Sequence, residues 1–118
     1  HLLNQTRKTG FDAWLKKHLD DIVYVGVSAG SILVTPNIGI ASADNGDKNL
    51  PGITSLDGLG FVDFEISPHT PEMVSIAANK IYAKSAKNKL YAINDTSALC
   101  VVNDKLEIIS QGQYWELN

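Results

Sequence analysis

The chain has 118 residues, a formal net charge of −3 and 44% hydrophobic residues, which is enough for one domain with a substantial core. Only 19% of the residues are charged, which argues against disorder, and the basic residues are scattered, which argues against nucleic-acid binding. The sequence shows neither a membrane-spanning apolar run nor a basic-then-apolar secretion signal. The single cysteine, Cys100, cannot form an intrachain disulfide, and with three distant histidines it makes no zinc pattern. We therefore expect a cytoplasmic protein without cofactors that binds neither nucleic acid nor membranes.

The first predicted elements are a helix and a buried strand. Residues 9–19 place apolar side chains at i, i+3, i+4 and i+7, which predicts an amphipathic helix with Thr9 as its N-cap. Residues 1–5 are compatible with one more helical turn before a break at Gly10. Residues 22–27 are apolar on both faces, which is typical of a strand covered on both sides in a parallel sheet. A helix followed by such a strand indicates a doubly wound α/β organisation.

The middle of the chain combines a short helix, a long loop and a further strand. Residues 28–34 predict a short helix that Pro36 ends. Residues 37–60 are rich in Gly, Asn, Asp and Ser and predict a long loop, with room for a short strand at 38–40. Loops of this length inside a compact domain are usually functional or mobile. Residues 61–66 alternate apolar with acidic side chains, which predicts a strand.

The last third of the chain predicts a capped helix and several short strands. Thr70, Pro71 and Glu72 supply an N-cap, a first-turn proline and a first-turn acid for a helix that reaches about residue 86. Strands are predicted at 90–93, 98–102 and 106–109, with a hairpin turn at 103–105 and an edge strand or packed tail at 114–117. We expect strands 22–27 and 61–66 to be parallel neighbours, with the helices against their sheet.

The sequence Gly26-Val27-Ser28-Ala29-Gly30 fits the pattern G-x-S-x-G at the junction of a predicted strand and helix. In a nucleophile elbow the serine occupies a tight turn, and side chains at the two glycine positions would collide with the neighbouring strand and helix. The turn exposes the Ser28 hydroxyl, and the amide of Ala29 is then a natural donor to an oxyanion. The alternative is a glycine-rich turn that binds a phosphate or only reverses the chain.

A nucleophilic serine needs a base, and His69 is the best placed of the three histidines. It follows the predicted strand 61–66, at the edge where Ser28 should also lie if the strands are parallel. His1 is terminal, and His18 lies beside the apolar stripe of the first helix. The third member of a catalytic set stays open between Asp44, Asp95 and Asp47, each of which is also an ordinary loop or turn carboxylate.

Two blocks of the sequence resemble the peptidase E family of α-aspartyl dipeptidases, to which cyanophycinase is related. They are YVGVSAGS at residues 24–31 and FEISPH at residues 64–69. The segment AINDTSA at residues 92–98 falls where the family has a strand followed by an acidic turn. The resemblance covers the chain from about residue 11 to its end.

This resemblance implies a doubly wound, mostly parallel α/β sandwich of the flavodoxin-like type, similar to class I glutamine amidotransferases but with serine as the nucleophile. It implies a serine dipeptidase that hydrolyses small peptides, with N-terminal aspartate as a candidate specificity. Ser28 would attack the scissile carbonyl and His69 would take its proton. Asp44 best matches the acid that orients the histidine, and Asp95 falls at the position of a second acid.

The chain departs from the family pattern in two places. The family's N-terminal half carries a Gly-Gly-Asn loop with a second oxyanion donor, and nothing like it occurs here. The family also has an arginine in the helix after the Pro-His pair, where this chain offers only Lys80 or Lys84. We therefore expect residues 1–118 to be a single domain or the C-terminal part of one α/β domain, and a poor catalyst alone. The expected partners are a small peptide substrate and a companion N-terminal fragment or a second copy of the chain.

Two other functions stay open at this point. The chain is also compatible with a non-catalytic α/β binding module or inactive fragment in which Ser28 and His69 are only turn residues. An α/β-hydrolase esterase shares the G-x-S-x-G pattern, but its histidine normally lies far downstream of the serine. Only 41 residues separate Ser28 from His69 in this chain, which disfavours the esterase.

Overall fold

The computed structural model of the chain describes residues 1–118, which form a mixed α/β fold. The helices are α1 (Leu2–Thr9), α2 (Phe11–His18), α3 (Ala29–Leu33) and α4 (Ile76–Ala83), with 3₁₀ turns at Leu19–Asp21 and Gly39–Asn45. The strands are β1 (Glu65–Ser67), β2 (Leu90–Ile93), β3 (Ser97–Val102), β4 (Lys105–Ser110) and β5 (Tyr114–Leu117). None of the helices has the length and apolar character needed to cross a bilayer.

The strands form one three-stranded sheet and one separate hairpin. The sheet has the order β1-β2-β5, in which β1 and β2 are parallel and β5 pairs antiparallel with β2. Strands β3 and β4 form the hairpin, and Asn103 and Asp104 take positive φ values of 48° and 60° at its turn. Such values match the twist of a two-residue hairpin loop. The strands predicted in residues 90–117 are therefore confirmed, including the edge strand.

The two faces of the sheet are covered by different elements, because side chains alternate between the faces along each strand. On one face Leu90 packs with Ile32 from α3, Ala83 from α4 and Ile40. On the other face a second cluster packs against the β3–β4 hairpin; it comprises Phe64, Ile66, Tyr91 and Ile93, with Leu99, Leu106 and Ile108 from the hairpin. The sheet thus lies between a helical layer and a hairpin layer.

The expected parallel pair between residues 22–27 and 61–66 does not form. Residues 22–27 belong to no strand, and only Glu65–Ser67 of the second segment joins a ladder. Val23, Val25 and Val27 are 90%, 78% and 75% exposed, so the segment is not covered on both faces. The physical reason is that no strand of the chain lies beside residues 22–27 to pair with their backbone and shield these valines.

The helix predicted from Thr70 begins instead at Ile76. Its N-cap is Ser75, whose hydroxyl accepts a hydrogen bond from the amide of Ala78 at 3.1 Å. The Thr70 side chain cannot act as the cap, because it is buried and accepts a hydrogen bond from the amide group of Asn79. The short strand expected at 38–40 is also absent, since that stretch enters the 3₁₀ turn Gly39–Asn45.

Glu65 in β1 is a buried carboxylate on the helical side of the sheet. It is only 1% exposed and accepts hydrogen bonds from the Tyr82 hydroxyl at 2.6 Å and the Asn88 side-chain amide at 3.2 Å. Burial, and then the hydrogen bond and negative charge of Glu65, raise the pKa of Tyr82 well above its ordinary value. The phenol therefore attaches α4 to strand β1 as a neutral donor.

The raised pKa of Tyr82 predicts a loss of stability at alkaline pH. Above about pH 10 the unfolded chain releases the phenol proton while the folded chain retains it, so the free energy of unfolding should fall as pH rises. Tyr82→Phe should remove this part of the pH dependence and cost about 1–3 kcal/mol at pH 7, because Glu65 loses a donor. Urea unfolding at pH 7 and pH 10.5 measures both effects. Tyr114→Phe is the control. The role of Tyr82 would be contradicted if the free energy of unfolding fell equally between the two pH values in wild type and in Tyr82→Phe.

The turn between residues 22–27 and α3 is tight at one glycine and open at the other. A Cβ atom on Gly26 would lie 2.6 Å from the carbonyl oxygen of Gly30 and 2.8 Å from the amide of Ser31. A Cβ atom on Gly30 would meet only the Tyr24 hydroxyl, at an ordinary contact distance of 3.6 Å. The collision expected at both glycines therefore occurs at Gly26 alone within this chain.

This asymmetry predicts different effects for two matched substitutions. Gly26→Ala should push α3 away from the preceding segment and cost about 1–3 kcal/mol, because the colliding atoms are backbone and cannot rotate aside. Gly30→Ala should change the free energy of unfolding by less than about 1 kcal/mol, since helix interiors favour alanine over glycine. Chemical denaturation of the two variants and wild type measures these free energies of unfolding. Equal losses in the two variants would show that the close contact at Gly26 does not explain the glycine there.

Candidate active site

Ser28 sits in a strained turn at the start of α3. Its φ of 53° and ψ of −120° lie in a region that residues with side chains rarely adopt. The carbonyl of Ser28 accepts hydrogen bonds from the amides of Ser31 and Ile32, which begin the helix. The backbone therefore reverses at Ser28 itself, as the G-x-S-x-G pattern predicts, and the side chain is left exposed.

His69 lies just beyond the end of β1. It also has a positive φ, of 60°, and its carbonyl accepts hydrogen bonds from the amides of Met73 and Val74. The next residue, Thr70, donates its amide hydrogen to the carbonyl of Ile93 at the end of β2. These contacts attach the histidine to both parallel strands. Its Nε2 atom lies 2.9 Å from the Oγ atom of Ser28.

Asp95 completes a line of three side chains. It follows β2, and its Oδ1 atom lies 2.6 Å from Nδ1 of His69. Because β1 and β2 are parallel, their carboxyl ends meet at the same edge of the sheet, which brings His69 and Asp95 together. The His69 and Asp95 side chains are 28% and 57% exposed, so the site is open to solvent.

The two contacts are compatible with one arrangement of protons. The carboxylate of Asp95 accepts a hydrogen bond from Nδ1–H of His69, which leaves the lone pair of Nε2 directed at Ser28. The hydroxyl of Ser28 can then donate to Nε2. This assignment follows from the hydrogen-bond partners, because an acidic acceptor at one ring nitrogen selects the tautomer at the other. The arrangement is suited to removing the hydroxyl proton of Ser28.

Asp44, the acid that the family resemblance favoured, lies elsewhere. Its Oδ2 atom accepts a hydrogen bond from the amide of Ser75 at 2.8 Å, and this contact lowers the pKa of the Asp44 carboxyl below its ordinary value. The long loop thus folds against the start of α4 and not against His69. The side chain of Asp47 makes no hydrogen bond to His69 either. Of the three acids left open by the sequence, the structure brings only Asp95 to the histidine.

A backbone donor lies next to Ser28. The amide of Ala29, the next residue, has no hydrogen-bond acceptor within the chain and is free to donate to a ligand. Lys80 and Lys84, which were considered for binding an acidic substrate side chain, are exposed and neither hydrogen-bonded nor ion-paired to the three site residues.

Sequence reasoning missed the residue that shapes the turn carrying Asp95. The side-chain oxygen of Asn94 accepts hydrogen bonds from the amide of Thr96 and from the hydroxyls of Thr96 and Ser97. The available signal was the string Asn-Asp-Thr-Ser, in which an asparagine typically bonds the backbone two residues later.

A cavity of about 500 Å³ lies away from the three side chains. It is lined by residues that precede β1 and β2, among them Phe61, Phe64 and Lys89, and by Val101 and Leu106 of the hairpin. It is therefore at the opposite end of the parallel strands from His69 and Asp95. The candidate active site is an open surface site, and this cavity is separate from it.

Comparison with known proteins agrees with these features. The family model "Peptidase family S51" matches residues 1–109. Uncharacterized peptidases of Listeria monocytogenes and Listeria innocua are each 35% identical to the chain over 72 residues, which is 58% of this chain and 34% and 33% of theirs. The crystal structure of a candidate peptidase E protein from Listeria monocytogenes EGD-e superposes with a TM-score of 0.76 at 25% identity, covering 94% of this chain and 55% of that one.

The chain thus spans about a third of the length of these curated relatives and about half of the solved structure. Its mixed α/β architecture is that of the solved structure over nearly all of its residues. The family match extends over the elbow at Ser28, the strand that precedes His69 and the turn at Asp95. On this match the chain belongs to peptidase family S51.

Proposed function

We propose that the protein is a serine-type exopeptidase that cleaves small peptides, with Ser28 as nucleophile, His69 as general base and Asp95 as the acid that orients the base. The observation that carries the proposal is the unbroken line of contacts: 2.9 Å from Ser28 Oγ to His69 Nε2, and 2.6 Å from His69 Nδ1 to Asp95 Oδ1. The strained backbone at Ser28 adds support, because strain of this kind is concentrated at functional residues.

The reaction would proceed in two steps, acylation of Ser28 and hydrolysis of the acyl-enzyme. Ser28 Oγ attacks the scissile carbonyl carbon while its proton passes to Nε2 of His69, and the carbonyl oxygen becomes an oxyanion that the amide of Ala29 can stabilise. When the carbon–nitrogen bond breaks, the imidazolium gives its proton to the leaving amine. Water then attacks the acyl carbon and gives a proton to Nε2 of His69. When the bond between that carbon and Ser28 Oγ breaks, His69 returns the proton to Oγ, which releases the acid product and restores the hydroxyl of Ser28.

Dipeptides with N-terminal aspartate are the first substrates to test, given the resemblance to peptidase E. The helix α4 contains no arginine, and neither its one lysine, Lys80, nor the following Lys84 forms an ion pair with a site residue. A lysine lacks the forked guanidinium that binds a carboxylate with two hydrogen bonds. We therefore propose small peptides as the substrate class and compare N-terminal aspartate with uncharged residues in the same assay.

We also propose that a second oxyanion donor comes from a companion segment or from a second copy of the chain. The amide of Ala29 is the donor that follows the nucleophile in this chain, whereas oxyanion sites usually combine two donors. The exposed valines of residues 22–27 are a surface that such a companion would cover. Because one donor is typically worth about 10²–10³ in rate, peptide turnover is expected to be slow without this companion.

Covalent labelling tests the nucleophile directly. A fluorophosphonate probe needs an activated serine but no specificity pocket, so it should label Ser28 in the purified protein, and intact mass with peptide mapping identifies the adduct. Ser28→Ala and His69→Ala should abolish labelling, because one lacks the nucleophile and the other its base. Ser85→Ala, which removes an exposed serine just after the end of α4, should label at the wild-type rate. Labelling that persists in Ser28→Ala would sink the proposal in favour of a non-catalytic module.

The choice between the two acids has a separate test. Asp95→Asn should lower the labelling rate and kcat by about 10³–10⁴, as loss of the orienting carboxylate does in other serine hydrolases. Asp44→Asn keeps an oxygen that can accept from the Ser75 amide, so its rate should stay within about threefold of wild type. Labelling quenched at fixed times gives the labelling rate, and steady-state peptide hydrolysis gives kcat. The assignment of Asp95 fails if the two variants lose activity equally.

A further inference from the structure

We propose that the Asn94 side chain is a positioning residue that holds the Asp95 carboxylate against His69, and that Gly112 is glycine because it must leave room for the Asn94 amide. The inference rests on the proposed function, since it concerns the alignment of the acid in that same site. It assigns a role to the segment between β4 and β5, which the proposed chemistry does not otherwise use.

The turn that carries Asp95 is closed from both the main chain and the side chain of Asn94. The main-chain carbonyl of Asn94 accepts from the amide of Ser97 at 3.2 Å. Its side-chain oxygen accepts from the Thr96 amide at 3.1 Å, the Thr96 hydroxyl at 3.2 Å and the Ser97 hydroxyl at 2.6 Å. Asp95 is the second residue of this turn, so these four contacts set the direction in which its side chain leaves the backbone.

Asp95 itself has little else to hold it. Its side chain is 57% exposed, and its hydrogen bond with His69 is its one side-chain contact of that kind. A carboxylate with one partner can rotate away into water, where it is well solvated. The turn therefore supplies the restraint that keeps Oδ1 at 2.6 Å from the histidine.

The turn is also attached to residues 110–112, at the end of β4 and the start of the connection to β5. The hydroxyls of Ser97 and Ser110 lie 2.6 Å apart, and the Ser110 hydroxyl bonds the amide and carbonyl of Gly112. The amide of Gln111 donates to the carbonyl of Thr96 at 3.2 Å. The turn that carries Asp95 is thus held by the hairpin layer as well as by β2.

Gly112 packs directly on the side-chain amide of Asn94. A Cβ atom at this position would lie 2.2 Å from Nδ2 of Asn94 and 3.5 Å from the Thr96 hydroxyl. The φ of Gly112 is not in the left-handed region, so space and not backbone conformation requires glycine here. The Asn94 amide cannot swing aside without giving up the contacts of its oxygen, so a methyl group at Gly112 would disturb the turn.

The test compares fluorophosphonate labelling rate, kcat and KM in single and double variants of the purified protein. Asn94→Ala should lower the labelling rate and kcat by about 10–100-fold, the usual penalty for a catalytic group displaced by about 1 Å, with KM within about threefold of wild type. Asn94→Asp retains an oxygen acceptor in the turn and should recover most of the rate. Asn118→Ala, which removes an exposed asparagine at the end of β5, is the matched control and should leave the rates unchanged.

The double variant distinguishes positioning from a general loss of structure. Gly112→Ala alone should lower the rate about as much as Asn94→Ala, but in the Asn94→Ala background it should cost little more, because the colliding amide is gone. Strong non-additivity of this kind is expected for residues that act through one contact. Thermal unfolding of each variant shows whether the chain still folds.

Three outcomes would overturn the proposal: wild-type rates in Asn94→Ala, additive losses in the double variant, or rate losses that merely follow the melting temperature and are not rescued by Asn94→Asp. Failure of the proposed function itself gives a different result, because Ser28→Ala would then be labelled like wild type. In that case the Asn94 variants would also label alike, and only their thermal unfolding would differ.

Discussion

The parallel pairing of β1 with β2 is the constraint on which the candidate active site depends. Two parallel strands end at the same edge of their sheet, so the residues that follow them are brought within hydrogen-bonding distance although 26 positions separate His69 from Asp95. An antiparallel pair would have placed one of them at the far end. The amide of Thr70 bonded to Ile93 then locks the end of β1 to the end of β2 at the point where the site begins.

Buried polar groups reinforce this edge from the helical side of the sheet. Asn79 of α4 is fully buried and donates its amide to the hydroxyl of Thr70 at 2.9 Å, directly behind His69. One turn further along the helix, Tyr82 donates to the buried Glu65. The Asn79 side-chain nitrogen and the Tyr82 hydroxyl each donate to a buried acceptor that would be costly to leave without a donor, and these bonds favour this packing of α4 on the sheet. The bond between Asn79 and Thr70 therefore helps to hold the neighbouring His69 in place.

Local patterns predicted much of the fold because they depend on neighbours in sequence. A helix over residues 9–19, strands after residue 89 and a hairpin turn at 103–105 were predicted. They are observed as α2, as β2 to β5 and as a turn at Asn103 and Asp104, and each depends on contacts within a few residues or on adjacent strands. Residues 22–27 were predicted as a buried strand and are not one, because a strand exists only beside a partner. The start of α4 was also missed, because burial of Thr70 displaced the cap to Ser75.

The sequence by itself predicted the tight turn at Ser28 and indicated His69 as its neighbour, because a G-x-S-x-G pattern and a histidine after a predicted strand are signals carried by neighbouring residues. The residue patterns left Asp44, Asp47 and Asp95 open, since all three are polar residues of loops and turns, and the family resemblance favoured Asp44. Only the tertiary structure separated them: the long loop carries Asp44 to the amide of Ser75, and the parallel strands carry Asp95 to His69. Which carboxylate meets the histidine depends on how distant segments pack, and no pattern of neighbouring residues encodes that distance.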